Sequence, residues 1–273
     1  MVHDYYHIPA EELGRGARVP LTVLGDSGEV FYELALEMVS TIREHNERGE
    51  KTVFICPVGP VGQYPIFVRL VNEERLSLKN CWFINMDEYL TDDDRWIDED
   101  DPLSFRGFMN RTVYGQIDPG SSCPPSSACS PTRSIPVAFP PSSRSSAAST
   151  SPLAASASPA TSRSTSPTPP LTPEEFAQLK TRTLDIHAET RATNCIGDLG
   201  GALEDMPHRC VTIGMSEILG ARKVRLGVFR DWHRAVIRRT AYGEVSSDFP
   251  ATLLQNHPDA RVYVNANAAQ AAY

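Results

Sequence analysis

Cys81-Trp82-Phe83-Ile84-Asn85-Met86-Asp87-Glu88-Tyr89-Leu90 is the stretch whose reading decides the fold. Its first four residues are almost wholly apolar and follow a helix-like segment, the pattern of a buried parallel strand. The run ends in two adjacent acids, Asp87 and Glu88. In open α/β sheets the ligand crevice lies beyond the carboxyl ends of the strands, and a carboxylate there can take a proton from a bound substrate. Adjacent acids after a strand also make an ordinary solvated loop or a helix cap, and spacing alone does not separate these readings.

Working outward, strands and helices alternate. Val19 to Leu24 is a predicted strand, closed by Gly25-Asp26-Ser27-Gly28. Asp26 or Ser27 can cap a helix running to about Asn46, whose apolar face is Phe31, Leu34, Leu36, Met38, Val39 and Ile42. Arg48-Gly49 closes that helix, and Thr52-Val53-Phe54-Ile55 is the next buried strand. Ile66 to Glu74 and Phe105 to Val113 read as helices. Further on, Leu171 to Phe176 is a helix start or turn, Thr181 to Ile186 is strand-like, and strands are predicted at Val224 to Phe229 and Arg261 to Val264. The alternation indicates an α/β, doubly wound, mostly parallel sheet of Rossmann-like type.

Between the second strand and its helix lies Cys56-Pro57-Val58-Gly59-Pro60-Val61-Gly62-Gln63-Tyr64-Pro65. A Gly-containing turn there can offer backbone N–H groups and a helix N-terminus to a phosphate, so Gly59, Gly62 and Gln63 are candidate phosphate contacts. The turn matches neither the dinucleotide fingerprint nor a P-loop, and a plain strand-to-helix turn explains it equally.

Asn85-Met86-Asp87-Glu88-Tyr89-Leu90, followed by Ser104-Phe105-Arg106-Gly107-Phe108-Met109, resembles the glucosamine-6-phosphate deaminase (isomerase) family, with its N-M-D-E-Y block and following S-F-x-x-F-M-like block. The related 6-phosphogluconolactonases carry D-E-R where this chain has Asp87-Glu88-Tyr89, which favours the deaminase branch. The resemblance makes Asp87 the enolising base. Glu189 to Asn194 is similar to the family's D-T-R-x-x-N block, Arg209 to Met215 to its A-L-T-[VI]-G block, and Leu254 to Pro258 to its L-Q-x-H-P ending. Arg230-Asp231-Trp232-His233-Arg234-Ala235-Val236 stands where the family has a phosphate-binding Lys, so His233 or Arg234 would supply that cation. The chain departs from the pattern in three places. Pro60 replaces a glycine of the family's phosphate loop, whose hydroxyl residues are missing, and Ile196 stands where many members have a phosphate-binding Arg. The family's ring-opening His, held in a G-H-x-A-F-N-E-P loop, has no counterpart: no His occurs between His45 and His187.

Composition narrows the function class. The 273 residues suffice for one large α/β domain or two small ones. A net charge of -8 is the opposite of a nucleic-acid binder's balance. No apolar run approaches the ~20 residues of a membrane span, and Met1 to His7 lacks a signal peptide's apolar core. Six scattered cysteines without a C-x-x-C pair fit a reducing, cytoplasmic compartment. The acidic run Asp92 to Asp101 misses the calcium-loop pattern and reads as a solvated loop; His3 and His7, at i and i+4 in a polar tail, read as no metal pair. No cofactor or metal is implied. The expected partner is a small-molecule sugar phosphate, with neither nucleic acid nor membrane, and a homo-oligomer is left open.

From Pro119 to Pro173 the chain has no Asp, Glu or Lys, and holds 13 of the 22 prolines. No helical or alternating apolar period survives, so at face value this is a Ser/Pro-rich linker that cannot offset its ordering entropy. The organisation is therefore 1–118 and 171–273 as two parts of one α/β domain, separated by 119–170. The codons required by Leu153 to Pro167 suggest a second reading. Taking the last base of each codon with the first two of the next, Ala permits Gly, Ser permits Ile, Val, Phe or Glu, Thr permits His or Asn, Arg permits Ala, and Pro permits Thr or Pro. From Ala154 onward the shifted frame permits Gly-Gly-Ile-Gly-Ile-Thr-Gly-His-Val-Ala-Phe-Asn-Glu-Pro. That is similar to the family's missing loop in unbroken register, its His at Thr161 and its Glu at Ser166. Ser142 to Ser151 permits Leu-Ile-Glu-Glu-Leu-Gly-Gly-Val-Asp-Ile, a helix end and a strand leading into it. The central third is expected to be an out-of-frame reading; a genuine Ser/Pro-rich insertion is the alternative.

The resemblance implies aldose–ketose isomerisation of an amino-sugar phosphate with loss of ammonia, and the chain as written, lacking the ring-opening His, is expected to have little or no such activity. A sugar-phosphate lactonase and a non-catalytic sugar-phosphate sensor are the alternatives.

Overall fold

The structure, a computed structural model, describes residues 3–121, 149–152 and 171–273. The remainder of the Ser/Pro-rich stretch, including the shifted loop at 154–167, lies outside the described residues.

Among the described residues the chain forms nine strands and seven α-helices. β1 (Leu21–Leu24) leads into α1 (Ser27–Arg48). Asp26 caps α1 by accepting the Glu29 N–H, and Gly49 ends it in the left-handed region at φ 66, which glycine enters without a Cβ penalty. β2 (Thr52–Cys56), α2 (Gln63–Glu73) and β3 (Cys81–Asn85) follow, with β3 parallel to β2 as the apolar run predicts. α2 starts three residues earlier than Ile66, because Pro65 is tolerated in a first turn where N–H groups have no partner anyway.

β4 (Asp87–Leu90) is the main departure from the sequence reading. The acids do not dangle beyond β3; they open a new strand. Met86 is the joint. Its N–H donates to the Cys56 carbonyl at 2.9 Å and its carbonyl accepts from Ile213 at 2.8 Å, so one residue leaves the parallel sheet and enters an antiparallel one.

α3 (Phe105–Thr112) is followed by β5 (Ser149–Pro152), α4 (Pro173–Ala177), β6 (Arg182–Asp185), α5 (Ala188–Asp198), β7 (Arg209–Thr212), α6 (Met215–Leu219), β8 (Val224–Val228), α7 (His233–Tyr242) and β9 (Ala260–Asn265). A capping box between Thr172 and Glu175 starts α4.

Three groups of strands result: β3-β2-β5 and β1-β9-β8, both parallel, and β4-β7-β6, antiparallel. β5 also lies against β8, so the two parallel groups meet there. α1 packs on α2 and reaches strands of both groups, touching β1, β2, β8 and β9. One core joins α1, α2, β2 and β3 through Leu34, Met38, Phe54, Phe67 and Phe83, and a second lies between β8, β9 and α7. A third, around Tyr89, Leu184 and Met206, supports the antiparallel strands. The architecture is the α/β, mostly parallel, Rossmann-like class expected. No helix among the described residues is long and apolar enough to cross a membrane.

Candidate active site

Alternation along β4 separates the two acids. Glu88 turns into protein and is almost fully buried. Its carboxylate accepts from the N–H groups of Tyr89, Phe105 and Arg106 at 3.0, 3.1 and 2.8 Å, and from the Ser104 hydroxyl at 3.2 Å. Ser104 is itself the N-cap of α3, accepting from Gly107 at 3.1 Å. Glu88 is thus an anchor for the helix start, where the dipole and free N–H groups favour an anion. Gly107 is required close by, since a Cβ there would sit 1.9 Å from the Glu99 carbonyl oxygen.

Asp87 takes the opposite face and lines a cavity of about 630 Å³. The site is framed by Gly59 and Pro60 from the β2–α2 turn, Phe105 from α3, Asn194 and Asp198 from α5, and Arg230 beyond β8. Asp87 is partly buried. Burial, and then the neighbouring Glu88 charge, raises its pKa from 3.8 to about 7. That suits a group that must both take and return a proton near neutrality. Its row is continued by the register of the antiparallel sheet. Asp87 pairs with Thr212, and Thr212 with Arg182, so an acid, a hydroxyl and a guanidinium lie side by side, all lining the cavity. Across the cavity Asp198 is held up by burial and pulled back down by Arg230. Asn194 donates to the Tyr89 hydroxyl at 2.9 Å, tying α5 to β4.

The sequence-predicted residues divide. Asp87 and Gly59 line the cavity; Gly62, Gln63, His233 and Arg234 do not. Gln63 is buried and donates to the Pro60 carbonyl at 2.7 Å. The buried His233 accepts from the N–H groups of Phe229 and Arg230 through Nδ1, both at 3.3 Å, and burial holds its pKa down at about 4. It is a neutral imidazole at pH 7. Arg234 donates to the Asn267 carbonyl and to its side-chain oxygen at 3.0 and 2.7 Å. The cations that do line the cavity are Arg182 and Arg230. Arg230 stands just past the carboxyl end of β8, so the crevice rule applied to Asp87 also reaches it. Arg182 leaves no such signal, because its neighbours are set by pairing with a strand far away in sequence. Among the described residues no group of three or more His, Cys, Asp or Glu is placed to hold a metal ion.

No family model matches the chain. Over 244 residues it is 23% identical to the glucosamine-6-phosphate deaminase of Clostridium perfringens, covering 88% of this chain and 96% of that one. The match to the deaminase of Staphylococcus saprophyticus is 43% over 65 residues, 24% of this chain and 27% of the relative. With the Halothermothrix orenii deaminase it is 31% over 97 residues, 36% and 39% of the two chains. These stronger but shorter matches span between about a quarter and two-fifths of the relatives' length. Among solved structures, a monomeric glucosamine-6-phosphate deaminase superposes with a TM-score of 0.69 at 21% identity, covering 91% of this chain and 98% of that one. The 6-phosphogluconolactonase from Trypanosoma cruzi follows with a TM-score of 0.59 at 14% identity, covering 91% and 95%. The chain therefore has the α/β fold shared by glucosamine-6-phosphate deaminases and 6-phosphogluconolactonases. Within that fold its sequence is similar to glucosamine-6-phosphate deaminases.

Two measurements check the roles of the paired acids. Glu88→Ala leaves the α3 N–H groups and the Ser104 hydroxyl without their acceptor, and is expected to cost at least about 2 kcal/mol in urea unfolding. For Asp87 the folded-state pKa lies above the unfolded one. Its stabilisation is complete below pH 3.8 and is lost as pH rises through about 7. Wild type is therefore expected to lose stability relative to Asp87→Asn across that window, read as a difference in unfolding midpoint against pH; a difference that stays flat with pH would refute the raised carboxyl.

Proposed function

We propose that this chain is a glucosamine-6-phosphate deaminase-like protein of amino-sugar metabolism, acting on a small sugar phosphate by aldose–ketose isomerisation with release of ammonia. The observation that carries it is Asp87, raised to about 7 and lining the cavity, while Glu88 beside it is consumed in structure. In the ring-opened substrate, ionised Asp87 takes the proton from the amine-bearing carbon and returns it to the adjacent aldehyde carbon. The C–H bond broken at one carbon is remade at its neighbour, while the amine nitrogen gives up a proton and the former carbonyl oxygen gains one, leaving an imine that water hydrolyses to the ketose and ammonia. A lactonase would instead deliver water to an ester carbonyl; hydrolysis of phosphogluconolactone distinguishes it. A sensor would bind sugar phosphate without turnover.

Ring opening needs a proton carrier that the chain as written does not supply, since no His occurs between His45 and His187. The central third, 119–170, is on this reading an out-of-frame stretch of an ordinary family member. Besides the codon arithmetic, the position of β5 supports it. β5 pairs in parallel with β2 and lies against β8, the middle of the sheet, yet its sequence is Ser-Thr-Ser-Pro. Central parallel strands are normally runs of Val, Ile and Leu, and Pro152 has no N–H for a ladder. The shifted frame permits Val-Asp-Ile at 149–151, a sequence suited to that position.

The chain as written is expected to release little or no ammonia from glucosamine 6-phosphate. Sequencing the source DNA is expected to reveal compensating single-base changes near codons 119 and 170, and the frame-restored chain to turn over. A clean read of the present frame, in a chain that releases ammonia, would overturn this. In the frame-restored chain Asp87→Asn is expected to lower turnover by ~10²–10⁴ while keeping the fold. Full turnover in that variant would remove Asp87 from the mechanism.

A further inference from the structure

The first half of the 57–65 turn lines the cavity, but its Gly62 end, which faces the start of α7, is covered by protein. A Cβ on Gly62 would fall 2.2 Å from the Phe31 ring, so that ring lies directly on the glycine. Phe31 packs edge-on against Phe229 at 4.9 Å between centroids, and Phe229 against His233 at 5.8 Å. His233 is neutral and Arg234 is engaged by Asn267.

Arg182 and Arg230 differ from these. Both line the Asp87 cavity, and among the described residues neither forms an ion pair. Arg182 is partly buried, and among the described residues its side chain donates one hydrogen bond, to the Lys180 carbonyl at 3.4 Å, while Glu217 acts on it as a charge without pairing. Arg230 rests over the Phe229 ring at 5.9 Å, opposite Asp198. For the partly buried Arg182, withdrawal from water without an anionic partner is costly, and an anion entering the cavity offsets that cost; Arg230 is exposed and adds a second positive charge to the cavity lining. The planar fork of Arg matches a phosphate's oxygens, and the Thr212 hydroxyl between Asp87 and Arg182 adds a further donor. With neighbouring strands about 4.8 Å apart, Arg182 and Asp87 stand about 10 Å apart at their backbones, which leaves the body of a sugar between anion and base.

We propose that the anionic group of the ligand, a phosphate monoester, is held inside the cavity by Arg182 and Arg230 with Thr212, and not by Gly62, Gln63 and the start of α7. The proposal rests on the sugar-phosphate reading above for the identity of the ligand, but not for the position of the anion.

The test is calorimetric titration of the full chain with inorganic phosphate, glucosamine 6-phosphate and ribose 5-phosphate. The variants are Arg182→Ala, Arg182→Lys, Arg230→Ala and Arg234→Ala, each checked for native circular dichroism. Removing one charge-assisted contact is expected to weaken phosphate and both sugar phosphates about 10- to 100-fold for either Ala variant. Arg182→Lys, which keeps charge but loses the fork, is expected to fall between, and it carries the test if Arg182→Ala fails to fold. Arg234→Ala is expected to bind as wild type. Weakened binding in Arg234→Ala with Arg182 and Arg230 indifferent, or no phosphate binding by wild type, would overturn the proposal. Arginine-dependent binding with no preference for glucosamine 6-phosphate over ribose 5-phosphate leaves this subsite standing and counts against the deaminase reading.

Discussion

One buried carboxylate organises the active side of this molecule. Glu88 gathers the Ser104 hydroxyl and the first N–H groups of α3, and in doing so it fixes the rotation of β4 about its own axis. Because neighbouring residues of a strand face opposite ways, that rotation decides where Asp87 points. Burial raises the pKa of both carboxyls, but at Glu88 four donors pull it back down, while at Asp87 the neighbouring Glu88 charge pushes it further up. Two adjacent acids acquire different chemistry from one constraint: the first is surrounded by cavity and apolar walls, the second by N–H groups.

Much of the fold is legible without coordinates. The apolar runs at Cys81 to Ile84 and Thr52 to Ile55, the capped amphipathic helix after Asp26 and the closing Gly49 all report local preferences that the tertiary structure leaves intact. The antiparallel group is different. Asp87–Leu90 is short and carries two acids, and its partner β7 lies on the far side of the central segment. Nothing local tells such a piece that it will be a strand, and hence nothing local brings Arg182 beside Thr212.

The candidate site divides along the same line. Asp87 is visible from its position after an apolar run and from a block resembling a known family. His233 and Arg234 do not line the cavity: His233 packs on Phe229, and Arg234 is held by Asn267. A cation count within a seven-residue window cannot resolve which member faces inward. The loop turn fails similarly: a glycine that reads as room for phosphate is here room for the Phe31 ring.

α1 reaches strands from both parallel groups, β1 and β2, β8 and β9. It acts as a splint laid across a seam. The two halves of the sheet are clamped from one face by a single 22-residue helix, encoded wholly before the central segment. The joint between them therefore does not depend on the ladder at β5 alone. Whatever chain runs through 149–152, a well-suited strand or a poor one, the strands that lead to the Gly59 turn and to Arg230 have a brace of their own.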